Sequence, residues 1–194
     1  LNPSIVNLIE HNDNEDYNFL NKQYKYNASF KNYNNCCIKS FSKLKPIYYN
    51  SKQINTFNNE KYGITHLMFK INSSEINIIT LHLNVSDETG KTRLYQIKEI
   101  HKYIINNNLK NVILGGDFNE NNLHFLLNKY GPIHNEILKK EFQFRTKLSI
   151  SLPSNVSTFL IQNNYYNLFK SKKKILFPFS CWSLKFVDYI YIYK

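Results

Sequence analysis

The sequence predicts one mixed α/β domain with its chemistry at the ends of strands, and three observations carry that expectation. Ile76, Ile78, Ile79, Leu81 and Leu83 make a nearly continuous apolar run across 75–83, the pattern of a strand covered on both faces. Leu94, Ile97, Ile100, Tyr103 and Ile104 recur at three- and four-residue steps, the period of one buried helical face over 92–105. The short apolar strand Asn111-Val-Ile-Leu114 is closed by Gly115-Gly116, read as a tight turn, and runs straight into Asp117-Phe118-Asn119.

At 194 residues the chain can bury a real core but is short for two domains, so a single domain over 1–194 is expected. The hydrophobic fraction of 42% belongs to a globular protein. Asn, Lys, Ile, Tyr and Phe are abundant and Arg is scarce, the residue set of AT-rich codons. That bias supplies much of the net charge of +11 and the pI near 9.4. A basic chain still favours a polyanionic partner, here nucleic acid, over a neutral one. Cys36, Cys37 and Cys181 form neither a disulfide framework nor a metal-binding spacing and read as reduced thiols. That fits an intracellular protein, cytoplasmic or nuclear. No apolar run approaches the roughly 20 residues of a membrane helix, so no transmembrane segment is expected. Nothing in the sequence sets an oligomeric state.

Taken in order, residues 3–10 read as an apolar strand ending in Glu10, followed by a polar, acidic stretch to Asp16. An Asn- and Tyr-rich linker leads to strands at 36–41 and 46–49, then to a clearer pair at 63–71 and 75–83 joined by a turn at Asn72-Ser73-Ser74. The helix over 92–105 ends at Asn106–Asn108, and the strand at 111–114 follows. A short helix over 121–130 stops at Gly131-Pro132, and 133–157 is mixed loop and helix. Residues 157–168 are helix or strand, Lys172–Lys174 is a basic run, and 186–193 alternates as a final strand.

The chemistry sits at strand ends: Glu10, His82, Asp117 with Asn119, and Asp188. Strand ends converge in layered sheets. Carboxylates there suit a hard cation such as Mg²⁺, which takes oxygen ligands and needs only one or two protein carboxylates; Glu10 is the first candidate. A His and an Asn beside the metal can donate hydrogen bonds to a phosphate oxygen as its charge grows, the parts that His82 and Asn119 fit. Each residue also has a bland reading. Glu10 can open a surface loop, His82 can be a satisfied core histidine, and Asp117-Phe-Asn can cap a helix. Trp182 beside the last strand can stack a base or fill the core. Lys172–Lys174 can grip phosphates or be solvated. His11, His66, His101, His124 and His134 fall in no motif.

Together these segments resemble the endonuclease/exonuclease/phosphatase (DNase-I-like) superfamily. Ile5-Val-Asn-Leu-Ile-Glu10 is similar to its strand ending in a metal-binding Glu, and Thr80-Leu-His82-Leu to its His-Leu strand. Gly116-Asp117-Phe118-Asn119 matches its Gly-Asp-x-Asn segment, and Phe186-Val-Asp188-Tyr-Ile-Tyr is similar to its Ile-Asp-Tyr-Ile-Phe strand. Arg93 and Gln96 match an Arg-x-x-Gln pattern of many members. The resemblance implies a four-layered α/β sandwich, with two mixed β-sheets face to face and helices outside. It implies a metal-dependent phosphoesterase using Mg²⁺, with Mn²⁺ able to substitute. Glu10 would hold the cation, Asp117 orient the attacking water, Asn119 and His82 contact the phosphate, and Asp188 orient a histidine. That histidine, in a Ser-Asp-His segment, and the family's first strand are missing from residues 1–194, which points to truncation at both ends. A phosphodiester substrate is implied, with a nuclease favoured. A sphingomyelinase-like phosphodiesterase or a non-catalytic scaffold of the same fold are the alternatives.

Overall fold

A computed structural model describes residues 2–12, 18–32, 36–56, 60–84, 90–119, 155–167 and 188–194. In chain order the elements are β1 (Ile5–Asn12), α1 (Asn18–Gln23), β2 (Tyr26–Lys31), β3 (Cys36–Ser42), β4 (Tyr48–Ile54), β5 (Tyr62–Ile71), β6 (Ser74–His82), α2 (Lys91–Asn106), β7 (Val112–Asp117), α3 (Asn155–Gln162), β8 (Tyr165–Asn167) and β9 (Asp188–Tyr193). The strands form an antiparallel sheet in the order β1-β3-β2 and a mixed sheet in the order β4-β5-β6-β7-β9-β8, whose β6–β7 pair is parallel.

Four layers follow from the alternation of side chains along each strand. On the outer face of the smaller sheet, Val6, Leu8 and Phe41 pack against Leu20 and Tyr24, in and just after α1. Between the sheets lie Ile5, Ala28, Leu67, Phe69 and Ile78. There Ser40 Oγ also meets Thr65 Oγ1 at 2.5 Å and donates to Thr80 Oγ1 at 3.2 Å, so the hydroxyls buried between the sheets satisfy one another. On the far side, Ile97, Ile100 and Ile104 of α2 and Val156 and Leu160 of α3 cover Ile79, Leu81, Val112 and Leu114. The apolar run of β6 is thus buried on both faces, Ile78 towards one sheet and Ile79 and Leu81 towards the helices.

Packing, not capping, holds α2. Its N-cap is Gly90, which offers no side-chain bond to the first turn. Burying each of the three isoleucines contributes about 2 kcal/mol, more than a cap usually does.

Several elements differ from the sequence reading. The stretch read as a linker contains α1 and β2, because Tyr24 and Ala28 are buried amid exposed Asn and Lys that hide the pattern. Gly115 and Gly116 do not form a tight turn; they lie within β7, which continues to Asp117. Strand β4 runs to Ile54, past its expected end at 49. The stretch 157–168, read as helix or strand, is helix to Gln162 and strand over Tyr165–Asn167, with the change at Asn163-Asn164, where Asn164 is left-handed at φ 65°; residue 168 lies outside the described residues. The hairpin turn is two residues, Asn72-Ser73, with Asn72 at φ 55°. Cys37 is buried and reduced. The helix expected over 121–130, the region 133–154, Lys172–Lys174, Trp182 and residues 186–187 lie outside the described residues. Among the described residues, no helix is long and apolar enough to cross a membrane.

Candidate functional site

Glu10 reaches the site through an irregularity in its strand. Val6 pairs with Phe41 and Leu8 with Lys39, so the even residues at the start of β1 face α1. Strict alternation would send Glu10 the same way, away from the other sheet. The pairing instead shifts between Leu8 and His11, and Glu10 takes a left-handed φ of 58°. Such a bulge reverses the parity of a strand and re-aims a side chain. Glu10 Oε1 comes to lie 3.4 Å from His82 Nε2 in the opposite sheet.

His82 ends β6 on the same face as Thr80, towards the smaller sheet. The parallel pairing of β6 and β7 sets Asp117 beside it in register, and Asp188, the first residue of β9, is at the register position opposite Asp117. The neighbour of Asp117 explains its glycine. Gly116 has φ 138°, and a Cβ there would sit 2.0 Å from the carbonyl oxygen of Leu81, so only glycine lets β7 lie this close to β6.

Beyond β7 the chain turns on the side chain of Asp117. The Asn119 backbone N–H donates to Asp117 Oδ1 at 2.7 Å, and Asn119 is left-handed at φ 47°. Asn119 Nδ2 donates to the Leu83 carbonyl at 2.9 Å, while the Leu83 N–H donates to the Asp117 carbonyl at 2.9 Å. Two residues past the strand end, Asn119 is therefore tied to β6.

One ligand atom each from Glu10, His82 and Asp117 lies within 4.8 Å of the others. Ligands of a small divalent cation lie about 3 Å apart when adjacent and about 4.2 Å when opposite, at the 2.0–2.1 Å bond lengths of Mg²⁺. Three donors drawn this close, two of them carboxylates, fit a divalent cation; the imidazole widens the choice to ions such as Mn²⁺. His82 is 3% exposed at its side chain and Glu10 58%, so the cluster has a walled side and an open one.

The structure thus brings together Glu10, His82, Asp117 and Asn119, and aligns the backbone of Asp188 with them. Arg93 and Gln96 hold Asn84. The Asn84 N–H donates to Gln96 Oε1 at 2.9 Å, and Arg93 Nη1 donates to the Asn84 carbonyl at 3.1 Å. Asn84 Nδ2 donates to Glu60 Oε2 and to the Tyr62 hydroxyl, each at 3.2 Å. Asn84, Glu60 and Tyr62 carried no motif; the one available signal was a polar residue directly after an apolar strand. Two histidines without a motif have structural places. His66 and His101 are bonded to Tyr103 and Tyr165 respectively, and burial lowers the pKa of each.

No protein-family model and no curated protein matches the sequence. Solved structures do match. The human nocturnin catalytic domain with bound sulfate anion aligns with a TM-score of 0.62 at 15% identity, over 98% of this chain and 69% of that one. Truncated TDP2 from Caenorhabditis elegans aligns with a TM-score of 0.57 at 15% identity, over 98% and 71%. A conserved protein of unknown function from Enterococcus faecalis V583 gives 0.54 at 13% identity, over 86% and 64%. At these identities the likeness is one of fold.

Proposed function

From the premise that the chain has the DNase-I-like fold of the endonuclease/exonuclease/phosphatase superfamily, we propose that it is a divalent-metal-dependent phosphoric ester hydrolase that cleaves a phosphodiester of nucleic acid. The observation that carries this reading is the convergence of Glu10, His82 and Asp117 from three strands of two sheets to within 4.8 Å. The net charge of +11 favours the polyanionic substrate.

Glu10 would hold the cation, Mg²⁺ or in its place Mn²⁺, with Asp117 and His82 at its edge. A bound cation of this kind supplies polarisation of the phosphoryl oxygen and a lower pKa for bound water. Asp117 accepts a proton of the attacking water and orients its lone pair, and the Asn119 backbone N–H fixes the carboxylate that does so. The Asn119 side-chain amide has two N–H donors. One is committed to the Leu83 carbonyl, which aims the other at a non-bridging phosphate oxygen. His82 donates to the same phosphate, where charge accumulates in the transition state. Asp188 belongs to this row as the group that orients a further histidine.

The test is Mg²⁺-dependent cleavage by the natural full-length polypeptide, with single-stranded RNA, single-stranded DNA and sphingomyelin assayed side by side. Cleavage of a nucleic acid, lost in Asp117→Ala and in Glu10→Ala, is expected. Cleavage of sphingomyelin alone would keep the enzyme and replace the substrate. No turnover and no Mn²⁺ binding by calorimetry would overturn the reading.

A further inference from the structure

Gln96 is a buried, uncharged side chain 1% exposed on α2, and the mechanism above gives it no part. Its Oε1 accepts the Asn84 N–H at 2.9 Å, while its Nε2 is buried without a hydrogen-bond partner. A side chain that forgoes one bond to make another has its orientation set by the bond it makes.

The Asn84 N–H and the Leu83 carbonyl are the two ends of one peptide group, which is planar and turns as a unit. Gln96 Oε1 holds the N–H end. At the other end, the Leu83 carbonyl accepts the side-chain N–H of Asn119 at 2.9 Å. Rotating this peptide would break both bonds at once. Asn84 resists such rotation further, since its own carbonyl is held by Arg93 and its amide by Glu60 and Tyr62. Hydrogen bonds arranged in series through a peptide group also polarise one another.

We propose that Gln96 is a positioning residue for the reaction, acting through the Leu83–Asn84 peptide to aim the Asn119 amide at the phosphate. The proposal rests on the hydrolase reading above. Gln96 touches neither substrate nor metal, and its effect passes through Asn119. Arg93, three residues earlier and on the same helical face, braces the next carbonyl along. The pair thereby couples the packing of α2 to the geometry of the site.

The experiment compares Gln96→Met, which keeps volume and removes the acceptor, with Gln96→Glu, which keeps the acceptor. Gln96→Leu replaces the Met variant if that one does not fold. Loss of the acceptor is expected to lower kcat about 10- to 100-fold, the scale of a small misplacement of a reacting group. The Mn²⁺ affinity should stay within about twofold, and Gln96→Glu should recover most of the rate. In an Asn119→Ala background the Met substitution should cost less than about twofold, because residues acting as one unit do not add. An undiminished loss in that background, or a metal affinity falling in step with kcat, would overturn the proposal. The amide proton resonances of the Asn119 side chain give a readout independent of turnover. They should shift and exchange faster in Gln96→Met but not in Gln96→Glu. If the wild-type protein shows no turnover the hydrolase reading fails; if those resonances do not move, the relay fails.

Discussion

The six-stranded sheet has a histidine on each of its two faces, and they are used in opposite ways. On the face covered by α2, His66 in the middle of β5 is enclosed. Its Nε2–H donates to Asn77 Oδ1 at 2.9 Å, and its Nδ1 accepts the Tyr103 hydroxyl at 2.9 Å. The chain continues through Asn77 Nδ2, which donates to the Lys110 carbonyl at 2.7 Å. Both ring nitrogens are spent inside the protein, and burial holds the ring neutral. On the opposite face, towards the smaller sheet, His82 at the end of β6 lies beside Glu10 and Asp117, with Glu10 open to solvent. The residue type is the same and both rings are buried. What separates them is whether the neighbouring groups close a neutral network or gather acidic side chains at an opening.

Replacing each histidine by glutamine breaks this comparison most sharply. His82→Gln is expected to lower kcat about 100- to 1000-fold, the usual loss of a transition-state hydrogen bond, with stability changed by less than about 1 kcal/mol. His66→Gln should leave kcat of the folded protein within about threefold and lower stability by about 1–3 kcal/mol, since Tyr103 and Asn77 lose geometry for their buried partners. Steady-state kinetics and urea unfolding of both variants check this. Equal kinetic losses from the two would remove the distinction between the faces.

Gly116→Ala tests how the site is built. The added Cβ would collide with backbone, at 2.0 Å from Leu81 O, and φ 138° is unfavourable for any L side chain. A loss of about 3 kcal/mol or more in the urea-unfolding free energy is expected. Gly63→Ala is the milder control, because its Cβ meets the ring of half-buried Phe30 at 2.6 Å, and a ring can move where backbone cannot. If the two substitutions cost the same, the tight approach of β7 to β6 is not what fixes Asp117.

Much of the site was legible in the sequence because each residue ends a local run. Glu10, His82 and Asp117 follow apolar strands, and Asn119 follows Asp117 by two, so neighbours along the chain announced them. The bulge at Glu10 was not legible, since it exists only in the register of β1 against β3. The bond between Gln96 and Asn84 was hidden for a similar reason. Twelve residues separate them, and the contact depends on how α2 packs on the sheet. Elements α1 and β2 were missed because Asn and Lys fill their exposed positions as they fill loops in this chain. Only Leu20, Tyr24 and Ala28, once buried, show that the stretch has an inside.

The smallest expected effect is a pH dependence that belongs to the helix-covered face. His66 has its pKa lowered, first by burial, with the bond to Asn77 opposing. In the unfolded chain it titrates near 6.5. Below that pH the unfolded state binds a proton that the folded state refuses, so stability is complete above pH 6.5 and is lost as pH falls through the folded value. The slope from one such group is at most about 1.4 kcal/mol per pH unit. His101, also lowered by burial, adds a weaker contribution of the same sign because it is less enclosed. Urea midpoints of the wild type at pH 7.5, 6.5 and 5.5 should therefore fall, and His66→Gln should flatten the fall while starting from a lower value at pH 7.5. A His66→Gln curve as steep as the wild type would mean that the closed network does not exclude the proton. The helix-covered face would then be no more sealed at His66 than the opposite face is at Glu10 and Asp117.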